Sequence, residues 1–92
     1  MSDLAKAEFE IINALGLHAR AAAQLVKAAN RFKCEVWVTC EGQRVNGKSI
    51  MGVLTLAAGK GMQVEVECRG EDAQKCLSEI QRMIAERFGE AE

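Results

Sequence analysis

The 92-residue sequence predicts an α+β fold in which helices cover one face of a four-stranded antiparallel sheet. Three short segments alternate apolar and polar residues, which is the pattern of strands that bury only one face, and a fourth short strand follows a turn. Two longer segments place apolar residues at helical spacing, and a third, shorter helix follows a suitable capping residue. The resulting order, β-α-β-β-α-β-α, is typical of an antiparallel sheet with its helices packed on one side.

The first two elements are a strand and a helix. Ala7, Phe9 and Ile11 alternate with charged residues, which predicts a half-buried strand over residues 5–12. After a connection that contains Gly16, residues 19–32 are rich in Ala, Leu, Gln and Lys, which favour a helix. Its apolar residues form one stripe, made of Ala22, Leu25, Val26, Ala29 and Phe32.

A hairpin and a short helix follow. Residues 34–40 are β-branched and alternating, Glu41 and Gly42 suit a two-residue turn, and residues 43–46 form the returning strand. The alternation places Trp37 on the uncovered face of the sheet, partly in water. Ser49 is a suitable N-cap for a helix over residues 50–57.

A fourth strand and a last helix complete the chain. Residues 62–69 alternate, and the outward positions are Gln63, Glu65 and Glu67. Glu71 and Asp72 suit the first turn of a helix that extends to residue 88. Its core-facing residues are predicted to be Ala73, Leu77, Ile80, Ile84 and Phe88, with Cys76 and Met83 beside them.

Composition limits the possible functions. Hydrophobic residues make up 49% and charged residues 27%, which fits one globular domain over residues 1–92 and excludes disorder. The net charge of −1 argues against a nucleic-acid-binding protein. Because no run of 18 apolar residues is present, we expect no membrane insertion. The first residues, Met-Ser-Asp-Leu, carry an acidic residue where a signal peptide carries positive charge, so we expect a cytoplasmic protein.

Charge is uneven along the chain. Residues 18–48 hold six basic residues against Glu35 and Glu41, a local balance of +4. Two interpretations stay open, a solvated helix face and a basic docking surface beside a phosphate site.

Four cysteines raise the question of metal or redox chemistry. Cys34, Cys40, Cys68 and Cys76 show no C-x-x-C spacing. In a cytoplasmic protein we expect buried, reduced and inert thiols, with a metal or redox role as the alternative.

One motif suggests a nucleotide-binding enzyme. Residues 42–49 read Gly-Gln-Arg-Val-Asn-Gly-Lys-Ser, which matches the P-loop pattern G-x-x-x-x-G-K-[ST]. Against this interpretation, residues 43–46 are a plausible strand, and no apolar run ends in an Asp that could hold magnesium. The domain is also too small for a covered parallel sheet. We therefore disfavour a P-loop.

A second motif suggests phosphoryl transfer. His18 is the only histidine and lies where a loop meets the start of a helix. A helix N-terminus offers unpaired N–H groups and positive potential, which favour a neutral, nucleophilic imidazole and a bound phosphate. Arg20 adds a permanent planar donor. A lone histidine is often structural, but these groups together can accept and hold a phosphoryl group.

These residues resemble a known family. Residues 16–20, Gly-Leu-His-Ala-Arg, followed by Ala-Ala-Gln at 22–24, are similar to the phosphohistidine signature of the HPr family, the histidine-containing phosphocarriers of the bacterial phosphoenolpyruvate-dependent phosphotransferase system. Residues 47–52, Gly-Lys-Ser-Ile-Met-Gly, resemble the region of the family's regulatory serine. The resemblance covers nearly the whole chain, with both motifs in register.

The resemblance implies a fold and a role. The fold is an open-faced β-sandwich with sheet order 1-4-2-3 and three helices on one face. His18 accepts phosphate on Nδ1 from enzyme I and phosphoenolpyruvate, Arg20 stabilises it, and class IIA phosphotransferase proteins receive it. The chain is then a phosphorylated carrier and no enzyme, monomeric, and without a cofactor or metal.

The resemblance also implies regulation and docking. Ser49 matches a serine that a bifunctional HPr kinase/phosphorylase modifies in many members. Partners dock on the first two helices, at positions matched by Ala23, Lys27, Ile50 and Met51.

One residue departs from the family pattern. Proline usually follows the motif arginine, whereas this chain has Ala21. The run Leu-Gly-Leu-His-Ala-Arg-Ala-Ala-Ala resembles some nitrogen-branch members. The alternative to a sugar-uptake carrier is therefore a regulatory interaction module that phosphorylation switches.

Overall fold

Four antiparallel strands form one sheet, with neighbours in the order β1-β4-β2-β3. The computed structural model describes residues 3–92; Met1 and Ser2, which belong to the segment considered for a signal peptide, lie outside the described residues. This order and the three helices confirm the predicted fold class. The elements are β1 (Leu4–Glu10), α1 (Ala19–Ala29), β2 (Glu35–Cys40), β3 (Gln43–Asn46), α2 (Ile50–Thr55), β4 (Gln63–Arg69) and α3 (Ala73–Ala85), and a single 3-10 turn, Arg87–Gly89, follows α3.

β4 is a central strand that pairs with both β1 and β2. In this register Val66 lies opposite Ala7 on one side and Val38 on the other. These side chains point towards the helices, and Val66 and Val38 are fully buried. Burial of each such side chain contributes about 1.5–3 kcal/mol, so the alternation read from the sequence is what fixes the register.

The core lies between the sheet and the helices. The stripe of α1 is buried as predicted as far as Ala29, and Phe32 is half-buried. All five residues predicted to face the core from the last helical segment are buried, and so is Cys76. No helix within residues 3–92 is both long and apolar enough to cross a bilayer.

The β2–β3 hairpin rules out a P-loop conformation for residues 42–49. Glu41 and Gly42 both have positive φ, 49° and 81°, and they link the paired residues Cys40 and Gln43, as a type I′ turn requires. The next four residues of the motif form β3. Gly47 lies so close to β2 that a Cβ there would be 2.5 Å from Val36 Cγ1. The glycines of this motif therefore serve a turn and a close packing contact.

α1 and α2 end earlier than predicted. α1 ends at Ala29, because the Asn30 side chain donates to the carbonyl oxygens of Val26 (3.0 Å) and Lys48 (3.2 Å). α2 ends at Thr55, two residues before the predicted end. The first of these stops depends on a contact with a distant part of the chain, which periodicity does not reveal.

The start of α3 also differs from the prediction. Glu71 and Asp72 precede the helix and do not form its first turn. The Asp72 carboxylate instead accepts hydrogen bonds from the backbone N–H groups of Lys33 and Cys34, both at 2.9 Å. These bonds hold the pKa of Asp72 below its ordinary value of 3.8. Asp72 thereby ties the start of α3 to the start of β2, which begins at Glu35 and not at residue 34.

The end of α3 breaks into a tight turn. The helix stops at Ala85, and Arg87 and Phe88 adopt left-handed φ values of 55° and 54°. Phe88 is nevertheless buried as predicted. The turn therefore keeps the Phe88 ring in the core and changes the direction of the residues that follow it.

The uncovered face of the sheet carries an ion-pair cluster. Trp37 is half-buried there, with the Arg44 guanidinium 4.8 Å from its ring centre. Glu67 lies on this face, as its position in the alternation requires. It is only 5% exposed, however, so its outward position does not make it accessible to water. Arg69 and Arg44 both bind its carboxylate and hold its pKa below the ordinary value.

All four cysteines are free and buried. The Sγ atoms of Cys34, Cys68 and Cys76 come from three separate parts of the chain and lie within 4.8 Å of one another. Burial raises the pKa of Cys34 to about 12, and a hydrogen bond with Cys68, together with burial, raises that of Cys76. Because metals and oxidants react with the thiolate, this environment favours the inert interpretation.

Candidate functional site

The loop before α1 is held in place by backbone contacts. Leu17 N–H donates to the carbonyl oxygen of Ala58 (2.8 Å), and the buried Asn13 amide donates to that of Gly16 (2.8 Å). Gly16 has a φ of 63°, and a Cβ there would lie 2.8 Å from the Cα of Gly59. Only glycine meets both conditions, so this loop delivers the chain to α1 in a defined position.

His18 is the N-cap of α1, as predicted. The first bond of the helix runs from Ala22 N–H to the His18 carbonyl oxygen at 2.8 Å. The N–H groups of residues 19–21 therefore have no acceptor within their own helix. Because these amides lie at the positive end of an 11-residue helix, the His18 position favours an anion such as a phosphoryl group.

The imidazole of His18 is in contact with a carboxylate. Its Nε2 atom forms a short hydrogen bond with Glu90 Oε2, and the His18 side chain is 25% exposed. An ionised carboxylate only accepts hydrogen bonds, so Nε2 carries the proton. In a neutral ring, Nδ1 then has the free lone pair. The free lone pair is thus on Nδ1, the atom that the sequence resemblance implies as the phosphate acceptor.

Glu90 is well positioned for this contact. Its side chain is 10% exposed, and its Oε1 accepts a second hydrogen bond from Asn13 Nδ2 at 3.1 Å. The hydrogen bonds from His18 and Asn13 hold the pKa of the Glu90 carboxyl below its usual range. Glu90 is therefore ionised near neutral pH and able to accept from both partners.

Arg20 and Ala21 lie in the first turn of α1. Arg20 is exposed and close enough for its charge to help lower the pKa of Glu90. Its role in stabilising a phosphoryl group stays a prediction. Ala21, which replaces the family's proline, is fully buried, and its N–H adds one donor at this end of the helix.

Ser49 is the N-cap of α2, as predicted, and its hydroxyl oxygen accepts from Gly52 N–H at 3.1 Å. The preceding residue, Lys48, is bonded to Asn30 and Phe32 at the end of α1. Ser49 therefore lies near the C-terminal end of α1, whereas His18 lies at its N-terminal end. The structure keeps the two phosphorylation candidates apart.

The predicted docking residues lie on α1 and α2, which pack against each other. Ala23 is half-buried and Lys27 is exposed, one helical turn apart on α1. Ile50 and Met51 are 43% and 73% exposed at the start of α2. Their exposure beside a basic helix is compatible with a docking surface.

Two residues of the site were missed by sequence reasoning, Asn13 and Glu90. Asn13 is an ordinary loop residue in the sequence, although it is 1% exposed in the structure. Glu90 is separated from His18 by 72 positions and follows the last helical pattern. Short-range periodicity contains no signal for such a contact.

Comparison with known proteins agrees with this geometry. The family model described as "PTS HPr component phosphorylation site" matches residues 5–86. A phosphocarrier protein HPr from Neisseria meningitidis serogroup A is 49% identical over 87 residues, which cover 95% of this chain and 98% of the relative.

Solved structures show the same fold. The crystal structure of HPr-C-His from Thermoanaerobacter tengcongensis has a TM-score of 0.92 and 35% identity, covering 96% of this chain and 99% of that one. An HPr dimer from the same organism has a TM-score of 0.76 and 38% identity, covering 89% and 94%. Sequence and fold therefore agree that this chain belongs to the HPr family, as a phosphocarrier of the bacterial phosphotransferase system and not a catalytic enzyme.

Proposed function

We propose that His18 is the phosphoryl acceptor, that enzyme I supplies the group from phosphoenolpyruvate, and that class IIA phosphotransferase proteins receive it. The observation that carries the proposal is the engagement of His18 Nε2 by Glu90 at the N-terminus of α1. It leaves Nδ1 with a lone pair beside unpaired amides and the charge of Arg20.

The transfer step needs no cofactor from this chain. The Nδ1 lone pair forms the bond to phosphorus, and the bond between phosphorus and the donor breaks with its electron pair left on the donor. The proton on Nε2 stays where it is. The amides of residues 19–21 and Arg20 supply donors for the phosphoryl oxygens. The reverse sequence of events delivers the group to the next protein.

The experiment incubates the chain with phosphoenolpyruvate and enzyme I and measures its mass. We expect one acid-labile phosphate on the wild type and none on His18→Ala. Ser49→Ala is the matched control, because it removes the other candidate and should still gain the phosphate. Circular dichroism establishes that the His18 variant is folded. An acid-labile phosphate on folded His18→Ala would refute the assignment.

Regulation at Ser49 is the second part of the proposal. A phosphate placed there by a bifunctional HPr kinase/phosphorylase would lie directly beside Ile50 and Met51, whose exposure supports a docking role. With Ala23 and Lys27 they form the surface that we propose for enzyme I and class IIA proteins. Added negative charge at its edge weakens docking without unfolding the domain.

The alternative role is a nitrogen-branch regulatory module, which the Ala21 run favours. The two roles differ in the acceptor. Phosphorylated protein is mixed with a class IIA protein of a sugar permease or with one of the nitrogen branch, and the rates of phosphate loss are compared. Faster transfer to the sugar-permease protein supports the carrier role, and faster transfer to the other supports the module.

We also propose that the chain acts as a monomer and in the cytoplasm. All of the residues proposed for docking lie on α1 and α2 of a single chain, so the surface needs no second copy of the protein. Because a related HPr structure is a dimer, light scattering at the concentrations of the transfer assay is the measurement that decides.

A further inference from the structure

The segment that follows α3 folds back over His18. Phe88 anchors it in the core, and the backbone N–H of Ala14 donates to the carbonyl oxygen of Glu92 at 2.9 Å. Between these two points the Glu90 carboxylate binds His18 Nε2 and Asn13 Nδ2. Three contacts thus hold the Glu90 carboxylate against the imidazole: the buried Phe88 side chain, the Ala14–Glu92 backbone bond and the bond from Asn13.

This contact lies outside the part of the chain that defines the family. The family match ends at residue 86, four residues before Glu90. The match to the family model therefore does not include Glu90.

The charge balance of the transfer step gives the carboxylate a role. A neutral imidazole that attacks through Nδ1 keeps its proton on Nε2, so the phosphorylated ring gains positive charge. A carboxylate bonded to Nε2–H fixes the tautomer before the reaction and stabilises the charged ring afterwards, as in catalytic triads. The 10% exposure of Glu90 limits competition from water.

We infer that Glu90 is a positioning residue for phosphoryl transfer: its carboxylate holds the proton on Nε2 of His18, directs Nδ1 to the phosphorus atom and compensates the positive charge of the phosphorylated ring. The inference deepens the proposed function and rests on it. It assigns to the C-terminal segment a part in the reaction.

Two substitutions at Glu90 separate the two effects. Glu90→Ala removes both the acceptor and the charge, whereas Glu90→Gln keeps an oxygen that accepts from Nε2–H and removes only the charge. Glu92→Gln is the matched control, because it removes the same charge from the same segment, and Glu92 contacts Ala14 through its backbone.

The first measurement uses nitrogen-15 chemical shifts of the His18 ring in the full chain, with no partner added. We expect wild type, Glu90→Gln and Glu92→Gln to show one tautomer with a protonated Nε2, and Glu90→Ala to show a mixture. An unchanged tautomer in Glu90→Ala would overturn the positioning role.

The second measurement is the rate of phosphate transfer from phosphorylated enzyme I. We expect Glu90→Gln and Glu90→Ala to be slower by about tenfold or more, and Glu92→Gln to match wild type. Wild-type rates in both Glu90 variants would overturn the inference. If wild type itself gains no phosphate on His18, the proposed function fails, while the tautomer measurement still reports separately on the Glu90 contact.

Discussion

All four thiols are buried, and burial raises the pKa of three of them. Cys34 and Cys76 have raised pKa values, and burial followed by the neighbouring Glu41 charge raises that of Cys40 as well. A low dielectric disfavours the thiolate, and the nearby carboxylates of Asp72 and Glu41 add to the effect. At the scale of single residues, the buried cysteines therefore behave as small apolar side chains.

We predict that the folded protein resists thiol reagents. With a pKa of about 12, Cys34 is ionised in about one molecule in ten thousand at pH 8. A disulfide exchange reagent should therefore release little signal from native protein and about four equivalents in denaturant. Raising the pH towards 10 should accelerate the native reaction, because the thiolate fraction rises with pH. Rapid reaction of one thiol at pH 8 in folded protein would contradict the prediction.

At the scale of elements, caps and cross-connections decide where helices begin and end. α1 ends where the Asn30 side chain bonds to Lys48. α3 begins after Asp72, whose carboxylate is bonded to the backbone at the start of β2. The Asn30 side chain donates to carbonyl oxygens of two separate segments, and the Asp72 carboxylate satisfies two backbone N–H groups just before β2. They are the points where a single substitution affects the assembly of two elements.

The Ser49 cap of α2 gives a prediction with a structural and a functional part. Ser49→Ala loses the bond to Gly52 N–H and should lower the free energy of unfolding by about 1 kcal/mol. Ser49→Asp keeps an N-cap acceptor, so it should fold normally, but it should accept phosphate from enzyme I more slowly. The slower rate should come mainly from weaker binding, seen when initial rates are followed against protein concentration.

Ser78→Asp is the control for this experiment. It adds the same charge to an exposed position on α3, away from the proposed docking surface. We expect it to transfer at the wild-type rate. Equal rates for Ser49→Asp and Ser78→Asp at low salt would mean that Ser49 acts only as a cap.

Asp72 gives a prediction about acid stability. Its folded-state pKa is lowered, first by the bond from Lys33 N–H, whereas the unfolded chain has the ordinary value of 3.8. The stabilisation is therefore complete above that ordinary value and is lost as pH falls through the lower, folded value. In Asp72→Asn the acid dependence of the melting temperature should be shallower than in wild type.

The exposed neighbour Glu71 supplies the matched variant for the acid experiment. Glu71→Gln removes the same charge one residue earlier, and we expect it to keep the wild-type slope. A wild-type slope in Asp72→Asn would show that the bonds to Lys33 and Cys34 contribute nothing to acid stability.

For the whole molecule, the sequence determines the arrangement of strands and helices more clearly than the contacts between them. The alternation around Val36 and Val66 predicted the buried face of the sheet, because a one-residue shift would expose every apolar side chain. The position of His18 and Arg20 at the start of α1 was also predictable, since both residues and the helix start are adjacent in the chain. The accessibility of Glu67 was not, because Arg69 of the same strand and Arg44 of β3 both bind its carboxylate.

Long-range contacts account for the rest. The thiol cluster combines residues from β4, α3 and the connection before β2, and the Glu90 carboxylate contacts His18 across 72 positions. Local patterns predict which face of an element is buried, but the partner that it meets depends on the complete fold. For this reason His18 could be predicted from the sequence as the phosphate acceptor, whereas the Glu90 carboxylate beside it could not.

The position of Trp37 has an optical consequence. It is the only tryptophan in the chain, and it lies under Arg44 on the face of the sheet opposite to α1 and α2. Its fluorescence will therefore follow unfolding of the sheet and change little when a protein docks on the helices. Intrinsic emission can verify that every variant is folded within the same cuvette as a transfer assay, whereas the binding event itself needs an extrinsic dye on the helical side.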